Sequence, residues 1–214
     1  MRIVADEVLM RKTCSLVTVL LAAIIAATVS VSTQTIPQAI ERVRPGPLEI
    51  GNLVDWALPS FDEAIREADL IVQGSLTKLR TYLSDDQETL YTDYQLNPVN
   101  VIAAKDAKSQ MALAPGPVPP IVLRVWGGET TINGVSVRIY NVELRPLPTD
   151  RPLLLLLTFD SQIGKYTPYA SGAYVFELED GRKLKPMIRP DLGERRLVGT
   201  DLADVIKEIH QRGR

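Results

Sequence analysis

Zinc sites need three or four Cys, His or carboxylate ligands held close together, and this chain cannot supply them in any familiar pattern. Its 214 residues contain one cysteine, Cys14, and one histidine, His210. His210 follows apolar Ile209 in a C-terminal stretch of helical period and reads as a surface histidine. The acidic clusters are Asp85, Asp86 and Glu88 in "SDDQE", and Glu177, Glu179 and Asp180 in "ELED". Neither has the spacing or internal glycine of a calcium loop. Both fall where a hairpin turn is expected, a position that favours Asp for its local backbone hydrogen bonds. Nucleophilic catalysis fares no better: there is no G-x-S-x-G elbow, and His210 would have to act as base from a terminal helix. "WGGE" reads as a strand-end bend and matches no nucleotide fingerprint. Catalytic, cofactor-binding and metal-ligating residues are therefore all expected to be none, no cofactor is expected, and the protein is not expected to be an enzyme.

Nucleic acid is the next candidate. Tyr82, Tyr91, Tyr94, Tyr166, Tyr169 and Tyr174 could stack on bases, and "GRKLKPMIRPDLGERR" brings Arg182, Lys183, Lys185, Arg189, Arg195 and Arg196 against Asp191 and Glu194. Overall charge opposes it. The net charge is −2 and the pI about 5.6. Removing Arg2, Arg11 and Lys12 from 24 basic residues, and Asp6 and Glu7 from 26 acidic ones, leaves 21 against 24 beyond residue 32. The tyrosines read more naturally as cross-strand pairs and barrel-rim residues. The basic stretch reads as a solvated face, with an anionic cell-surface polymer or lipid headgroups as the alternative contact.

The elements that must position these residues are mostly strands. Hydrophobic residues make up 45% and charged residues 23%, an ordinary globular composition. Ser60 with Glu63 fits a capping box opening a short helix to about Ala68, whose apolar face is Phe61, Ala64, Ile65 and Ala68. Strand patterns follow from Asp69 to Leu79, with Gly74 as at a bulge or tight bend. "TLYTDYQLNPVNVIA" sets Leu90, Thr92, Tyr94 and Leu96 on one face, and Pro98 implies a bend or an edge. A Pro-rich connection covers 104–120. "IVLRVWGG" and "ETTINGVSVRIYN" come next, the latter folded about Asn133-Gly134, and a further turn is expected at Asp180-Gly181. Leu202, Val205, Ile206 and Ile209 then repeat at the spacing of an amphipathic helix that starts near Thr200 or Asp201. Many short strands with glycine at bends, and no βαβ alternation, predict a mainly β fold: a small five-stranded antiparallel barrel with a short helix before it and an amphipathic helix after it.

The run Leu153–Leu157, between Pro152 and Asp160, is far too short to span a bilayer. Apolar at successive positions, it predicts a strand covered on both faces, one by the barrel interior and one by a helix. The closing helix is the natural cover and the 61–68 helix the alternative. Alternate leucines left exposed would instead mark an interface.

At the N-terminus, Met10, Arg11 and Lys12 precede an apolar run from Leu16 to Val29, and Ser30 and Ser32 stand as a −3/−1 pair. That is the layout of a secretory signal peptide over residues 1–32, with Met10 as a possible true start. The apolar core of about 14 residues falls short of the roughly 20 that span a bilayer comfortably; an uncleaved N-terminal anchor with an extracytoplasmic barrel is the alternative. Cys14 lies before the apolar core, so a chain beginning near Thr33 has no disulfide framework and depends on its hydrophobic core. Residues 33–59 read as a Pro-rich linker with one helical turn around Ala39–Val43, Trp56 and Leu58 either folding back on the domain or staying loose. The barrel domain is expected over 60–197 and the closing helix over 198–214.

In this order, "EADLIVQGSL" (67–76), "YTDYQL" (91–96), "LRVWGGE" (123–129), "RPLLLLLTF" (151–159) and "GAYVFELEDG" (172–181) resemble exported bacterial proteins of unassigned function with a five-stranded OB-like barrel. Netrin-like modules and the tissue inhibitors of metalloproteinases are more distant likenesses. The resemblance covers about residues 60–190 and implies fold rather than activity. The inhibitors' mechanism, in which an N-terminal cysteine places its amine and carbonyl on the catalytic zinc, does not transfer to a start at Thr33. The expectation is an exported, non-catalytic binding or assembly module, periplasmic or extracellular, meeting an unknown protein or cell-surface partner through its barrel face or its 104–120 loop, with no nucleic acid. The alternative is an envelope-acting hydrolase using carboxylates that the sequence does not single out.

Overall fold

The computed structural model describes residues 34–43, 46–52, 58–105, 121–189 and 195–212. The signal-peptide features at Met10, Cys14, Ser30 and Ser32, Trp56, the connection from 106 to 120, and Asp191 and Glu194 lie outside the described residues.

The fold is mainly β. Among the described residues three α-helices, α1 (Ile36–Val43), α2 (Phe61–Glu67) and α3 (Leu202–Arg212), accompany ten strands. The strands are β1 (Leu48–Asn52), β2 (Leu70–Leu83), β3 (Leu90–Ala104), β4 (Ile121–Trp126), β5 (Gly128–Ile132), β6 (Val135–Asn141), β7 (Leu153–Asp160), β8 (Lys165–Pro168), β9 (Val175–Glu179) and β10 (Lys183–Pro186). Pairing of β2 with β3, β3 with β4, β4 with β8, β8 with β7 and β7 with β2 closes a ring of five strands. The outer edge of β7 is shared, with β9 along Leu153–Leu155 and β8 along Leu157–Asp160, and β10 extends the sheet beyond β9. A second sheet runs β1-β6-β5.

Two departures from the expectation stand out. The ring is not wholly antiparallel, because β4 and β8 pair in parallel through Leu123 and Tyr166. The segment expected as linker holds α1, with Ile36 and Ile40 buried, and β1, which pairs in parallel with β6. Four prolines hid a short amphipathic helix whose apolar face needed the second sheet as a partner.

Local chemistry explains several element ends. Ser60 Oγ accepts from Glu63 N at 3.2 Å while Glu63 Oε2 accepts from Ser60 N at 2.7 Å, the reciprocal capping box that opens α2. Asn133 and Gly134 both take positive φ (51° and 79°), as do Asp180 and Gly181 (52° and 73°), giving the tight turns of the β5–β6 and β9–β10 hairpins. A Cβ on Gly74 would lie 2.6 Å from the Asn97 carbonyl oxygen, at the bulge where β2 crosses Pro98 of β3. Asp201 Oδ1 accepts from Ala203 N at 3.0 Å where α3 begins.

The leucine run is β7, and Leu153 to Leu157 are all fully buried. Leu153, Leu155 and Leu157 face the ring interior with Leu70, Val72 and Leu96. Leu154 and Leu156 face outward into a second cluster with Phe61 and Ile65 of α2 and Val205 and Ile209 of α3. Both helices therefore contribute to the cover: α2 packs on β7, and α3 packs on α2 and β3. Each buried leucine is worth roughly 1.5–3 kcal/mol. Among the described residues no helix is long and apolar enough to cross a membrane.

Candidate functional site

The outer face of the ring carries three cations grouped around one buried carboxylate. Register puts Tyr82 opposite Tyr91 and Arg80 opposite Asp93 across β2 and β3, and Asp93 opposite Arg124 across β3 and β4. Paired residues share a face. Between Lys78 and Arg80 the β2 register shifts, with Leu79 as the extra residue, so Arg80 and Tyr82 stay on the face of Thr77 and Gln95. Lys165, on β8, completes the group.

Asp93 sits at its centre and is 2% exposed. Lys165 Nζ donates to Asp93 Oδ2 at 2.6 Å, and the Tyr82 hydroxyl donates to Oδ1 at 3.2 Å. The Nε atoms of Arg124 and Arg80 lie 3.5 and 3.6 Å from the two carboxylate oxygens. Burial alone would raise the Asp93 pKa; the Lys165 hydrogen bond and charge, the Tyr82 hydrogen bond and the Arg124 charge outweigh it and hold the carboxyl below its ordinary range. Tyr82 is pushed the other way, first by burial and then by the Asp93 charge, so its phenol keeps its proton to donate. The cations are also packed on rings. Arg124 lies 5.5 Å from the Tyr82 centroid and 5.2 Å from that of Tyr91, Arg80 lies 4.8 Å from Tyr82, and Lys165 lies 5.9 Å from it. Three cations against one carboxylate leave a surplus of positive charge; Lys165 is held by its hydrogen bond and Arg124 against the two rings, while Arg80 is two-thirds open to solvent.

The same face continues along β3. Gln95 Nε2 donates to Asn97 Oδ1 at 2.9 Å, and Asn97 Nδ2 donates to Thr77 Oγ1 at 3.3 Å. Tyr91, Asp93, Gln95 and Asn97 alternate along the strand with inward-facing Thr92, Tyr94 and Leu96.

Residues singled out by sequence are dispersed. Tyr82 and Tyr91 lie on this face, Tyr94 and Tyr166 pack with the ring interior, and Tyr169 and Tyr174 lie beneath α2, where they donate to Glu67 and to the Pro59 carbonyl. No single row of stacking rings results. At least three of the six basic residues of the stretch are ion-paired: Lys185 with Glu179 at 2.7 Å, Arg182 with Asp201 at 3.9 Å, and Arg196 with Glu208 at 2.8 Å. His210 is on the exposed side of α3, with Nε2 3.3 Å from the Ile102 carbonyl oxygen. Asp85, Asp86 and Glu88 occupy the β2–β3 turn, where Asp86 accepts from Glu88 N at 3.0 Å. Among the described residues no group of three or more His, Cys, Asp or Glu is placed to hold a metal ion. The buried carboxylates, Asp93 and Glu177, belong to different strands, and Glu177 is paired with Arg151. A cavity of about 420 Å³ beside the start of α2 is walled mainly by apolar groups such as Leu58, Phe176, Ile188 and Leu197; Glu63 on its wall is held by Ser60.

Sequence reasoning passed over Asp93, although Asp is disfavoured in mid-strand and "YTDYQL" places one there. No family model matches the chain, and no curated protein is significantly similar to it.

Proposed function

We propose that this chain is an exported, non-catalytic binding module: a barrel of the OB kind whose outer face, centred on Asp93, meets a ligand or partner at the cell surface or beyond. The carrying observation is the fan of Arg80, Arg124 and Lys165 held over one buried carboxylate and two tyrosine rings. Arg124 and Lys165, held in this way, suit anion recognition because little of their side-chain freedom remains to be lost on binding, and Arg80 beside them adds an exposed guanidinium. The barrel reading is supported by the ring order. Around it the strands run first, second, third, fifth and fourth in chain order, as β2, β3, β4, β8 and β7, which is a Greek-key closure. Export is supported by the residue 1–32 pattern.

Two measurements test the reading. Fractionation is expected to find protein beginning near Thr33 in periplasm or medium; full-length protein confined to membranes would overturn export. Amide NMR of the exported chain titrated with inorganic phosphate or acetate is expected to shift residues 80–82, 91–95, 124 and 165. Shifts scattered over the surface, or none at all, would overturn the binding face.

A further inference from the structure

The Asp93 face has a direction, and that direction narrows the ligand. Along alternate positions of β3 it runs from Tyr91, through Asp93 with its three cations, to Gln95 and Asn97, with Tyr82, Arg80 and Thr77 beside them on β2. Positive charge is therefore concentrated at one place, with a row of amide and hydroxyl groups on one side and aromatic rings on the other. From Asp93 to Asn97 the strand advances about 13 Å, at roughly 3.3 Å per residue. A phosphate polymer or a nucleic acid carries charge at every step and would call for cations along the whole track. This track is charged once and then neutral, with groups that both donate and accept hydrogen bonds.

We propose that this face binds an acidic polysaccharide in which uronates alternate with neutral sugars: Arg80, Arg124 and Lys165 take a uronate carboxylate, and Gln95, Asn97 and Thr77 take the hydroxyls of the neighbouring neutral sugar. The inference rests on the binding-face reading above and names its ligand class. Two guanidinium groups match the planar carboxylate fork. The amide row is already internally hydrogen-bonded at 2.9 and 3.3 Å, so its groups are aligned before a sugar arrives. Charge complementarity favours this occupant because the fan holds surplus positive charge on a chain that is acidic overall.

The experiment measures binding of the exported chain by calorimetry to a hexamer of alternating glucuronic acid and N-acetylglucosamine, to its methyl ester and to inorganic polyphosphate. The acid oligomer is expected to bind, and the ester, which has the same sugars without the charge, at least about ten-fold more weakly. Arg80→Gln is expected to weaken the acid oligomer about ten-fold; its two-thirds exposed side chain can be changed without uncovering the buried carboxylate. Arg124→Gln combined with Asp93→Asn removes a charge of each sign and is expected to weaken it further. Gln95→Ala and Asn97→Ala are expected to weaken the sugar about three-fold and leave polyphosphate unchanged. Polyphosphate binding as tightly as the hexamer, or Gln95→Ala and Asn97→Ala leaving its affinity unaltered, would overturn the polysaccharide assignment while the anion-binding face stands. No anion response anywhere on the face would overturn both.

Discussion

The β2–β3 ribbon is built two ways at its two ends. Near Leu70 and Ala104 both faces are apolar: Leu70 and Val72 point into the ring, while Ile71 and Ile102 lie under the helices. Near Leu83 and Leu90 the outward positions are Arg80, Tyr82, Tyr91 and Asp93, outside the helix-covered cluster. The strands are continuous, so the difference lies in what covers them. Where α2 and α3 supply a lid, the outer face adds to the core. Beyond the reach of α2 and α3, charged stems and rings cover the outer face instead, and a buried carboxylate has to be balanced by cations.

The largest effect should come from the doubly covered end. Leu155→Ala, inside the ring, and Leu156→Ala, under the helices, are each expected to cost about 3 kcal/mol in urea denaturation. A loss below about 1 kcal/mol at either would mean that one of the two covers is not packed. Next comes the charged end: Asp93→Ala is expected to cost about 2 kcal/mol, because three cations and a phenol lose their acceptor while most of them can still reach water.

The same residue sets a pH dependence whose sign follows from its lowered pKa. The folded state holds Asp93 ionised below its ordinary value of 3.8, so its contribution is complete above that value and is lost as pH falls from it through the lower folded-state pKa. Stability measured from pH 5 down to pH 2 should therefore fall less steeply in Asp93→Asn than in the wild type. Equal slopes would show that the cation fan is not coupled to the carboxylate. Ser60→Ala, which removes the α2 cap, is expected to cost about 1 kcal/mol, bearing on the helix-covered end alone. The smallest change is Arg80→Gln, within about 0.5 kcal/mol, since an exposed ion pair contributes little to folding. A larger loss would move Arg80 from the ligand face into the structural frame.

Short-range signals were legible in the sequence wherever a few adjacent residues settle the geometry. The Ser60/Glu63 box, the Asn133-Gly134 and Asp180-Gly181 turns, the bulge at Gly74 and the α3 stripe all appear where their spacing placed them. The leucine run implied two covers and both are present, though the sequence could not say that α2 and α3 would share the task. Features depending on distant partners were not legible. Residues 36–52 read as linker because α1 and β1 bury their apolar sides against residues far along the chain, Leu90 of β3 and Val137 and Ile139 of β6. The site was missed for the same reason. Asp93 gains its meaning from Lys165, 72 positions away, and from Arg124, 31 away. The Leu79 bulge also carries Arg80 and Tyr82 out of simple alternation with the rest of β2.

By itself, then, the sequence determined most of the strands other than β1 and β8, the tight turns between them, and that the leucines need cover on both sides, because periodicity, caps and tight turns are properties of neighbouring residues. The tertiary structure alone decided that the ring closes through the parallel contact of Leu123 with Tyr166, and that three cations converge on Asp93. Both depend on strand register across the sheet, where a shift of one residue would turn every one of those side chains to the opposite face.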